Sequence, residues 1–105
     1  MYKEYHVYIV QCEDRSYYTG VTNSVERRVW EHNNDENKNH YTYTRRPVIL
    51  KFVETYEDIN DAIAREKQIK RWSRKKKEAL IKQRYEDLPD IARGKKGYMK
   101  RKDKK

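Results

Sequence analysis

The feature that most constrains this sequence is its shortage of apolar residues relative to charged ones. Charged residues make up 41% of the chain and hydrophobic residues only 35%. The 105 residues suffice for one domain, whereas two separate cores would each be too small to be stable. We therefore predict one thin core in residues 1–88, covered partly by the apolar stems of long polar side chains. The basic segment 89–105 has little apolar content, and we expect it to be a disordered tail.

The net charge of +9 is unevenly distributed along the chain. Residues 1–63 carry a net charge of −3, whereas residues 64–84 carry +8 and residues 89–105 carry +6. Such a concentration of positive charge favours binding to a polyanion, because Lys and Arg side chains release condensed counterions from phosphates. A solvated helix face followed by a solubilising tail explains the same charge equally well. Composition alone therefore leaves nucleic-acid binding open.

The apolar segments are too short for a membrane helix, which needs about 20 apolar residues, and the N-terminus has no signal-peptide pattern. We therefore expect a soluble, cytoplasmic protein without membrane contact. Nothing in the sequence implies a stable protein partner, and we expect a monomer. The single Cys12 cannot form an internal disulfide or a zinc cage. Because it ends an apolar run, we predict a small buried side chain there.

Three segments have the composition of β-strands. Residues 5–11 and 16–21 are β-branched and aromatic runs joined by a turn-like segment, which predicts a β-hairpin. A third strand is predicted at residues 48–54. The polar segment 33–47 precedes it and reads as a long loop, which in a compact domain is usually functional or disordered.

Helices are predicted where a capping residue precedes a segment with a period of about 3.6 residues. The first predicted helix begins after Asn23 or Ser24. The second runs from Asp58 or Asn60 to about Arg71, and the third runs from Ser73 to about Tyr85. Together with the strands, they predict an α/β fold of the α+β type, in which a small three-stranded antiparallel sheet is flanked by helices.

Two charged residues lie on helix faces that are otherwise apolar. At about 100° per residue, Arg28 and His32 share the arc of Val25 and Val29, and Glu66 interrupts the apolar stripe of the second helix. A charge that faces a core is costly unless it is paired or binds a metal. Two explanations remain open: a structural ion pair between Arg28 and Glu66, or a polar cleft in which Glu66 is a metal ligand and Arg28 a phosphate clamp.

The order of these residues resembles the signature of the GIY-YIG nucleases. The tripeptide HVY at residues 6–8 is followed, after nine intervening residues, by YTG at residues 18–20, then by Arg28 on one helix and Glu66 on a later one. Each tripeptide alone is a weak signal, whereas four elements in this order make a specific one. The resemblance spans about residues 4–83 and implies a GIY-YIG endonuclease-like fold.

Two further segments are similar to one branch of that superfamily, the small stand-alone bacterial YhbQ-like proteins. These segments are YTRRP at residues 43–47 and EKQIKRWSRK at residues 66–75. Two positions depart from the signature, since His6 replaces its first glycine and Thr19 stands where isoleucine is usual. Neither position is one on which the chemistry depends.

The resemblance implies a metal-dependent nuclease acting on DNA or RNA. Its catalytic residues would be Tyr8, Tyr18, Arg28, His32 and Glu66. Glu66 would bind Mg²⁺ or Mn²⁺, Arg28 would hold a phosphate oxygen, and either Tyr8 or Tyr18 would act as the general base. His32 either orients a water or phosphate, or is a hydrogen-bonded structural histidine.

The basic residues are predicted to contact the nucleic-acid backbone. The candidates are Arg45, Arg46, Lys70, Arg71, Arg74 and Lys75. Lys70 can instead extend outward to solvent. The alternative function is a non-catalytic nucleic-acid-binding module that retains the fold, because a fold does not imply an activity.

Overall fold

The structure, a computed structural model, describes residues 3–84, which contain a three-stranded antiparallel sheet. Its strands are β1 (Tyr5–Gln11), β2 (Tyr17–Thr22) and β3 (Ile49–Tyr56), arranged in the order β2-β1-β3. Both pairings of the central β1 are antiparallel. The predicted fold class is confirmed, and each predicted strand lies within two residues of the observed one.

Three helices accompany the sheet: α1 (Val25–Asn34), α2 (Ile59–Lys70) and α3 (Arg74–Arg84). Ser24 caps α1 by accepting a hydrogen bond from a backbone N–H in the first turn, and Asp58 caps α2 in the same way. The predicted helices are thus confirmed, and of the alternative starting residues Ser24 caps α1 instead of Asn23, and Asp58 caps α2 instead of Asn60. Within residues 3–84, no helix combines the length and apolarity needed to cross a membrane.

The end predicted for the last helix, Tyr85, lies outside the described residues, as does the predicted tail 89–105. The division of the chain into a domain at residues 1–88 and this tail stays a prediction.

The segment between α1 and β3 is held against the domain by side-chain hydrogen bonds. Helix α1 continues to Asn34, two residues into the loop predicted at 33–47, and a short 3₁₀ helix spans Tyr43–Arg45. The amide of Asn33 donates to the backbone oxygen of Val48 (3.2 Å) and accepts from its backbone N–H (2.7 Å). The two ends of the loop are therefore fastened to each other.

One face of the sheet packs on α2 and α3. Its core contains Val7 and Ile9 of β1, Phe52 of β3, Ile69 of α2 and Leu80 of α3, and all of these side chains are buried. Alternate residues of a strand point to opposite faces. The residues between them in β1 therefore face the other layer.

The second face packs on α1. Tyr8, Val10 and Leu50 form its buried centre, and Val25 and Val29 of α1 pack against them. Because the central strand is covered on both sides, its sequence is apolar almost throughout instead of alternating with polar residues. Cys12 is also buried on this face, as predicted, and burial raises the pKa of its thiol.

A carboxylate on β3 fastens the two helices of the first layer. Glu54 accepts hydrogen bonds from Arg65 of α2 (2.8 Å), Arg84 of α3 (2.9 Å) and the hydroxyl of Tyr56 (2.7 Å). Burial acts to raise the pKa of Glu54, but these donors lower it overall. Burial and the hydrogen bond to Glu54 raise the pKa of Tyr56 to about 12. The cluster holds α2, which carries Glu66, in a fixed position on the sheet.

Candidate active site

Tyr8 lies at the centre of the molecule, on the central strand and facing α1. Tyr8 is 1% exposed and lies opposite Gly20 of β2 in the sheet. A Cβ atom at Gly20 would lie 2.5 Å from the Tyr8 hydroxyl oxygen. The glycine of the second tripeptide is therefore needed because the ring of Tyr8 occupies the space above it.

A chain of two hydrogen bonds connects Tyr8 to α1 and to the loop. The Tyr8 hydroxyl and Nε2 of His32 are 2.8 Å apart, and Nδ1 of His32 is 2.9 Å from Oγ1 of Thr42. His32 and Thr42 are both buried. Burial, with a smaller effect of the nearby Arg28 charge, lowers the pKa of His32 to about 4. His32 is therefore neutral at pH 7.

The pKa of Tyr8 is set mainly by burial, and three other residues modify it. Burial raises it to about 12, although Arg28 acts against burial as a hydrogen-bond donor and as a positive charge. Tyr18 and the carboxylate of Glu66 each raise the pKa further. Tyr18 of β2, Arg28 of α1 and Glu66 of α2 therefore all influence the pKa of Tyr8.

Arg28 acts electrostatically on this buried hydroxyl and is itself partly exposed. Its side chain is 26% exposed, and Nη1 donates to Glu31 at 2.8 Å. Arg28 and Glu31 also line an open cleft of about 450 Å³, together with residues such as Thr22 and Ile59. A guanidinium has five N–H donors, so it can bind an anion in the cleft while it keeps these contacts.

Glu66 lies on α2 and is linked to Tyr18 through Lys70. Its side chain is 15% exposed and forms an ion pair with Lys70, in which Nζ of Lys70 is 2.7 Å from Oε2 of Glu66. The Lys70 ammonium lies 5.9 Å from the centre of the Tyr18 ring. Because Arg28 pairs with Glu31 and Glu66 pairs with Lys70, the direct ion pair between Arg28 and Glu66 that the sequence left open is not formed.

The chemistry of the donor set fits a lightly coordinated divalent cation. Within residues 3–84, no three His, Cys, Asp or Glu side chains form a ready-made metal cluster. Glu66 is a single, partly exposed carboxylate, and Mg²⁺ is commonly bound through one or two carboxylates while it keeps several waters. The displaceable partner of Glu66 is Lys70, whose side chain is 49% exposed.

Comparison with known proteins agrees with this arrangement. A family model described as "GIY-YIG catalytic domain" matches residues 4–79. The chain belongs to the GIY-YIG family. This domain is that of a nuclease family whose members are generally metal-dependent. The matched range includes the HVY and YTG tripeptides of residues 6–8 and 18–20.

Similar full sequences carry the name UPF0213 protein. One from Halobacterium salinarum is 46% identical over 77 residues, which is 73% of this chain and 99% of that protein. One from Staphylococcus haemolyticus is 43% identical over 81 residues, or 77% and 98% of the two chains. These relatives are small stand-alone proteins, as the sequence resemblance predicted.

Two solution NMR structures share the fold. The UPF0213 protein from Bacillus halodurans is 34% identical, with a TM-score of 0.52 over 78% of this chain and 86% of that one. A protein from E. faecalis is 34% identical, with a TM-score of 0.55 over 79% and 90% of the two chains.

The second tyrosine of the GIY-YIG signature lies at the edge of the cluster. The ring of Tyr18 is 6.4 Å from that of Tyr8 and packs edge-on against His32 at 5.2 Å. Tyr41, in the loop, stacks on Tyr18 at 5.8 Å. Tyr17 packs instead against the core on the α2 side, as expected for neighbouring residues of a strand.

Sequence analysis did not identify Tyr41 or Thr42 as site residues. Both lie just before the YTRRP segment at residues 43–47, and that position was the one available signal. The two residues come to the site because the loop folds over α1, which brings Thr42 to His32 and Tyr41 to Tyr18.

The two arginines of the YTRRP segment hold the loop. Arg45 bonds to Asp14 at 3.2 Å and to the backbone oxygen of Tyr41 at 2.7 Å, with its guanidinium 4.0 Å above the Tyr41 ring. Arg46 donates to the backbone oxygens of Tyr43 (3.1 Å) and Asp35 (2.7 Å). Both arginines therefore have structural contacts in addition to any contact with a ligand.

The basic residues near the start of α3 are solvent-exposed. Arg74 pairs with Glu78 at 3.0 Å and donates to the backbone oxygen of Arg15 at 2.7 Å, which links α3 to the β1–β2 turn. Arg71 and Lys75 are exposed. Lys70, expected to extend outward to solvent or to bind phosphate, bonds to Glu66.

Proposed function

We propose that this GIY-YIG protein is a nuclease that uses Mg²⁺ or Mn²⁺ to hydrolyse phosphodiester bonds in DNA or RNA, as a cytoplasmic monomer. The observation that carries the proposal is that the predicted site residues meet in one cluster: Tyr18 packs 6.4 Å from Tyr8 and 5.2 Å from His32, and Lys70, which pairs with Glu66, lies over the Tyr18 ring. A module that only binds phosphate has no need of the Glu66 carboxylate, which repels phosphate.

Glu66 is proposed as the metal ligand. A bound Mg²⁺ or Mn²⁺ supplies Lewis-acid stabilisation of the leaving oxyanion. The carboxylate is 15% exposed and forms one ion pair within the described chain, with the exposed Lys70. Releasing that ammonium costs little, since ion pairs with an exposed partner contribute about 1 kcal/mol or less.

Arg28 is proposed to hold the scissile phosphate. The guanidinium stays charged at any pH of interest and can donate two parallel N–H bonds to phosphate oxygens. Because Arg28 lines the open cleft and also lowers the pKa of Tyr8, a phosphate held by Arg28 is proposed to lie near the tyrosine hydroxyl.

Tyr8 is proposed as the general base, with water as the nucleophile. The phenolate accepts one proton of the water, the water oxygen forms a bond to phosphorus, and the bond from phosphorus to the leaving oxygen breaks. With a pKa of about 12, the phenolate lies about 7 kcal/mol above the phenol at pH 7. Arg28 already acts to lower this pKa, and Glu66 stops raising it once its carboxylate is neutralised.

Tyr18 is proposed to position the substrate beside this base. Its ring packs on His32 and Tyr41, and the Lys70 ammonium lies over it. We therefore expect Tyr8→Phe to remove activity and Tyr18→Phe to lower it less. Tyr17→Phe is the matched control, because Tyr17 is the neighbouring tyrosine on the opposite face of β2.

The basic surface is proposed to bind the phosphates that flank the scissile one. Arg71, Arg74 and Lys75 project from one region, and Arg45 and Arg46 retain N–H donors beyond those that hold the loop. Affinity should therefore fall steeply with salt. Deleting residues 89–105, which carry a net charge of +6, should weaken binding without changing which substrate is preferred.

The test is a cleavage screen over single-stranded, duplex and branched DNA and RNA, with Mg²⁺ or Mn²⁺ and with Glu66→Ala as the control. We expect metal-dependent cleavage that Glu66→Ala abolishes and that Arg28→Ala reduces by about 100-fold or more. Salt-sensitive binding to nucleic acid without cleavage of any substrate, unaffected by Glu66→Ala, would identify a non-catalytic binding module.

A further inference from the structure

The open cleft that Arg28 lines contains more apolar surface than phosphate binding requires. It has a volume of about 450 Å³ and lies where β1 begins, β2 ends, and α1 and α2 begin. Three of its lining residues, Tyr5, Val21 and Ile59, are aromatic or aliphatic. A phosphate alone is bound by charged donors and gains nothing from apolar contact. The apolar part of the cleft therefore fits a different part of the ligand.

Tyr5, Val21 and Ile59 form the apolar floor of the cleft. Tyr5 and Val21 pack against the buried core beneath α2 and stay partly exposed. Ile59, the first residue of α2, is 40% exposed. Apolar and aromatic groups in a concave site are the surface on which a flat heterocyclic ligand packs.

Arg27 adds a planar group to the lining of the cleft. Its Nη2 donates to Oδ1 of Asn23 at 2.9 Å, and its Nε lies 3.5 Å from Oε2 of Glu31. These two contacts orient a guanidinium whose side chain is 56% exposed. Guanidinium planes stack on unpaired nucleobases, and a plane that is already oriented loses less entropy on binding.

The charge of the cleft and its connection to Arg28 favour a nucleotide as the ligand. The ionised lining residues are two arginines, Arg27 and Arg28, and one carboxylate, Glu31, so positive charge is in excess. Arg28 is also the residue proposed to hold the scissile phosphate. A base is joined to its phosphate through a single sugar, so a base next to the scissile bond can reach the floor when its phosphate lies on Arg28.

We propose that this cleft binds one unpaired nucleobase next to the scissile phosphate, packed on the apolar floor and against the guanidinium of Arg27. The inference rests on the proposed nuclease function and narrows its substrate to nucleic acid with an unpaired base at the cut. Bases inside a duplex are stacked on both faces, so they must be extruded before they can enter a pocket. A fully paired duplex is therefore a poorer substrate than a single-stranded or bulged one.

The test compares duplexes that carry the same charge and differ in one base. The full-length protein is titrated without metal with a DNA duplex that contains one bulged 2-aminopurine, and with the same duplex in which the bulged nucleotide is abasic. RNA duplexes are tested in the same way. We expect about 10-fold tighter binding of the duplex with the base, the scale of one stacked base. The 2-aminopurine fluorescence should change on binding when the probe is in the bulge, and not when it is several base pairs away.

Two substitutions locate the base in the cleft. Ile59→Ala removes part of the floor, and Arg27→Lys keeps the charge but loses the plane. Each should bring the two affinities to within about 3-fold of each other. The matched controls lie outside the lining of the cleft and should keep the 10-fold preference: Ile63→Ala, one turn further along α2 and 36% exposed, and Arg15→Lys, in the β1–β2 turn. Because each ratio compares ligands of equal charge, a general change in phosphate attraction cancels.

Failure of this inference and failure of the nuclease proposal give different results. Equal affinity of the wild type for the two duplexes, or an unchanged fluorescence of the bulged probe, overturns the base site even if the protein cleaves nucleic acid. A preference that survives in both Ile59→Ala and Arg27→Lys overturns it as well, and if one of these variants does not fold, the other decides. A preference lost in these variants but kept in the controls supports the base site, whether or not any substrate is cleaved.

Discussion

Two carboxylates of equal exposure should respond in opposite ways to the same substitution. The side chains of Glu54 and Glu66 are each 15% exposed; Glu66 lies on α2, and Glu54 lies on β3 and bonds to α2. Glu54 accepts from Arg65, Arg84 and Tyr56, whereas Glu66 has the exposed Lys70. We expect Glu54→Gln to reduce stability and Glu66→Gln to reduce activity.

The magnitudes follow from the partners. Glu54→Gln weakens two charge-assisted hydrogen bonds, each worth about 1.5–3 kcal/mol, but the arginines concerned are partly exposed and regain some hydration. The loss should therefore be about 2–3 kcal/mol, or roughly 10–20 °C in Tm for a domain of this size. Glu66→Gln loses a pair with a half-exposed lysine, which contributes about 1 kcal/mol or less.

The assay combines urea or thermal denaturation followed by circular dichroism with metal-dependent cleavage and Mn²⁺ binding. Glu66→Gln should lose cleavage and Mn²⁺ binding at near wild-type Tm, and Glu54→Gln should keep both at temperatures where it is folded. The reasoning fails if Glu66→Gln is destabilised as much as Glu54→Gln, if Lys70→Met restores that stability, and if the wild type binds no Mn²⁺.

Three further substitutions test the packing and the titration of the site. Gly20→Ala places a methyl group 2.5 Å from the Tyr8 hydroxyl oxygen. The free energy of unfolding, measured by urea denaturation, should therefore fall by about 1–3 kcal/mol, and cleavage should decrease. Wild-type stability of the variant would contradict this contact. Thr19 is 3% exposed, and within residues 3–84 its hydroxyl has no hydrogen-bond partner. Thr19→Val should therefore raise the free energy of unfolding by about 1 kcal/mol. A lower Tm of the variant would contradict this expectation. The folded pKa of His32, about 4, lies below its ordinary value of 6.5, so its contribution is fully present above pH 6.5 and is lost as the pH falls towards 4. Stability should drop by about 3 kcal/mol over that range, and His32→Gln should flatten the profile; an equally steep profile in the variant would exclude His32 as the cause.

The secondary structure and the inward direction of the two unusual charges could be predicted from sequence because both depend on local signals. Period-2 and period-3.6 patterns and the capping residues Ser24 and Asp58 fix the elements to within about two residues. The same helical period turns Arg28, His32 and Glu66 towards the sheet. Since side-chain direction follows from backbone geometry, these features need no knowledge of neighbouring elements.

The partners of those side chains could not be predicted in this way, because they come from distant parts of the chain. Tyr8 meets His32 across 24 positions, and Arg84 reaches Glu54 across 30. Periodicity gives the face on which a residue lies but not the group that faces it. Thr42 belongs to a loop without a periodic pattern, so no sequence signal marked it as a partner of His32.

The sequence by itself thus determined the elements, their order, and the chemistry available on each face. The tertiary structure alone decided that Glu66 pairs with Lys70 instead of Arg28, that Arg45 and Arg46 also fasten the loop, and that Tyr8 bonds to His32. The physical reason is that an ion pair or hydrogen bond is selected by distances of about 3 Å, whereas a helical or strand pattern fixes direction only to within a fraction of a turn.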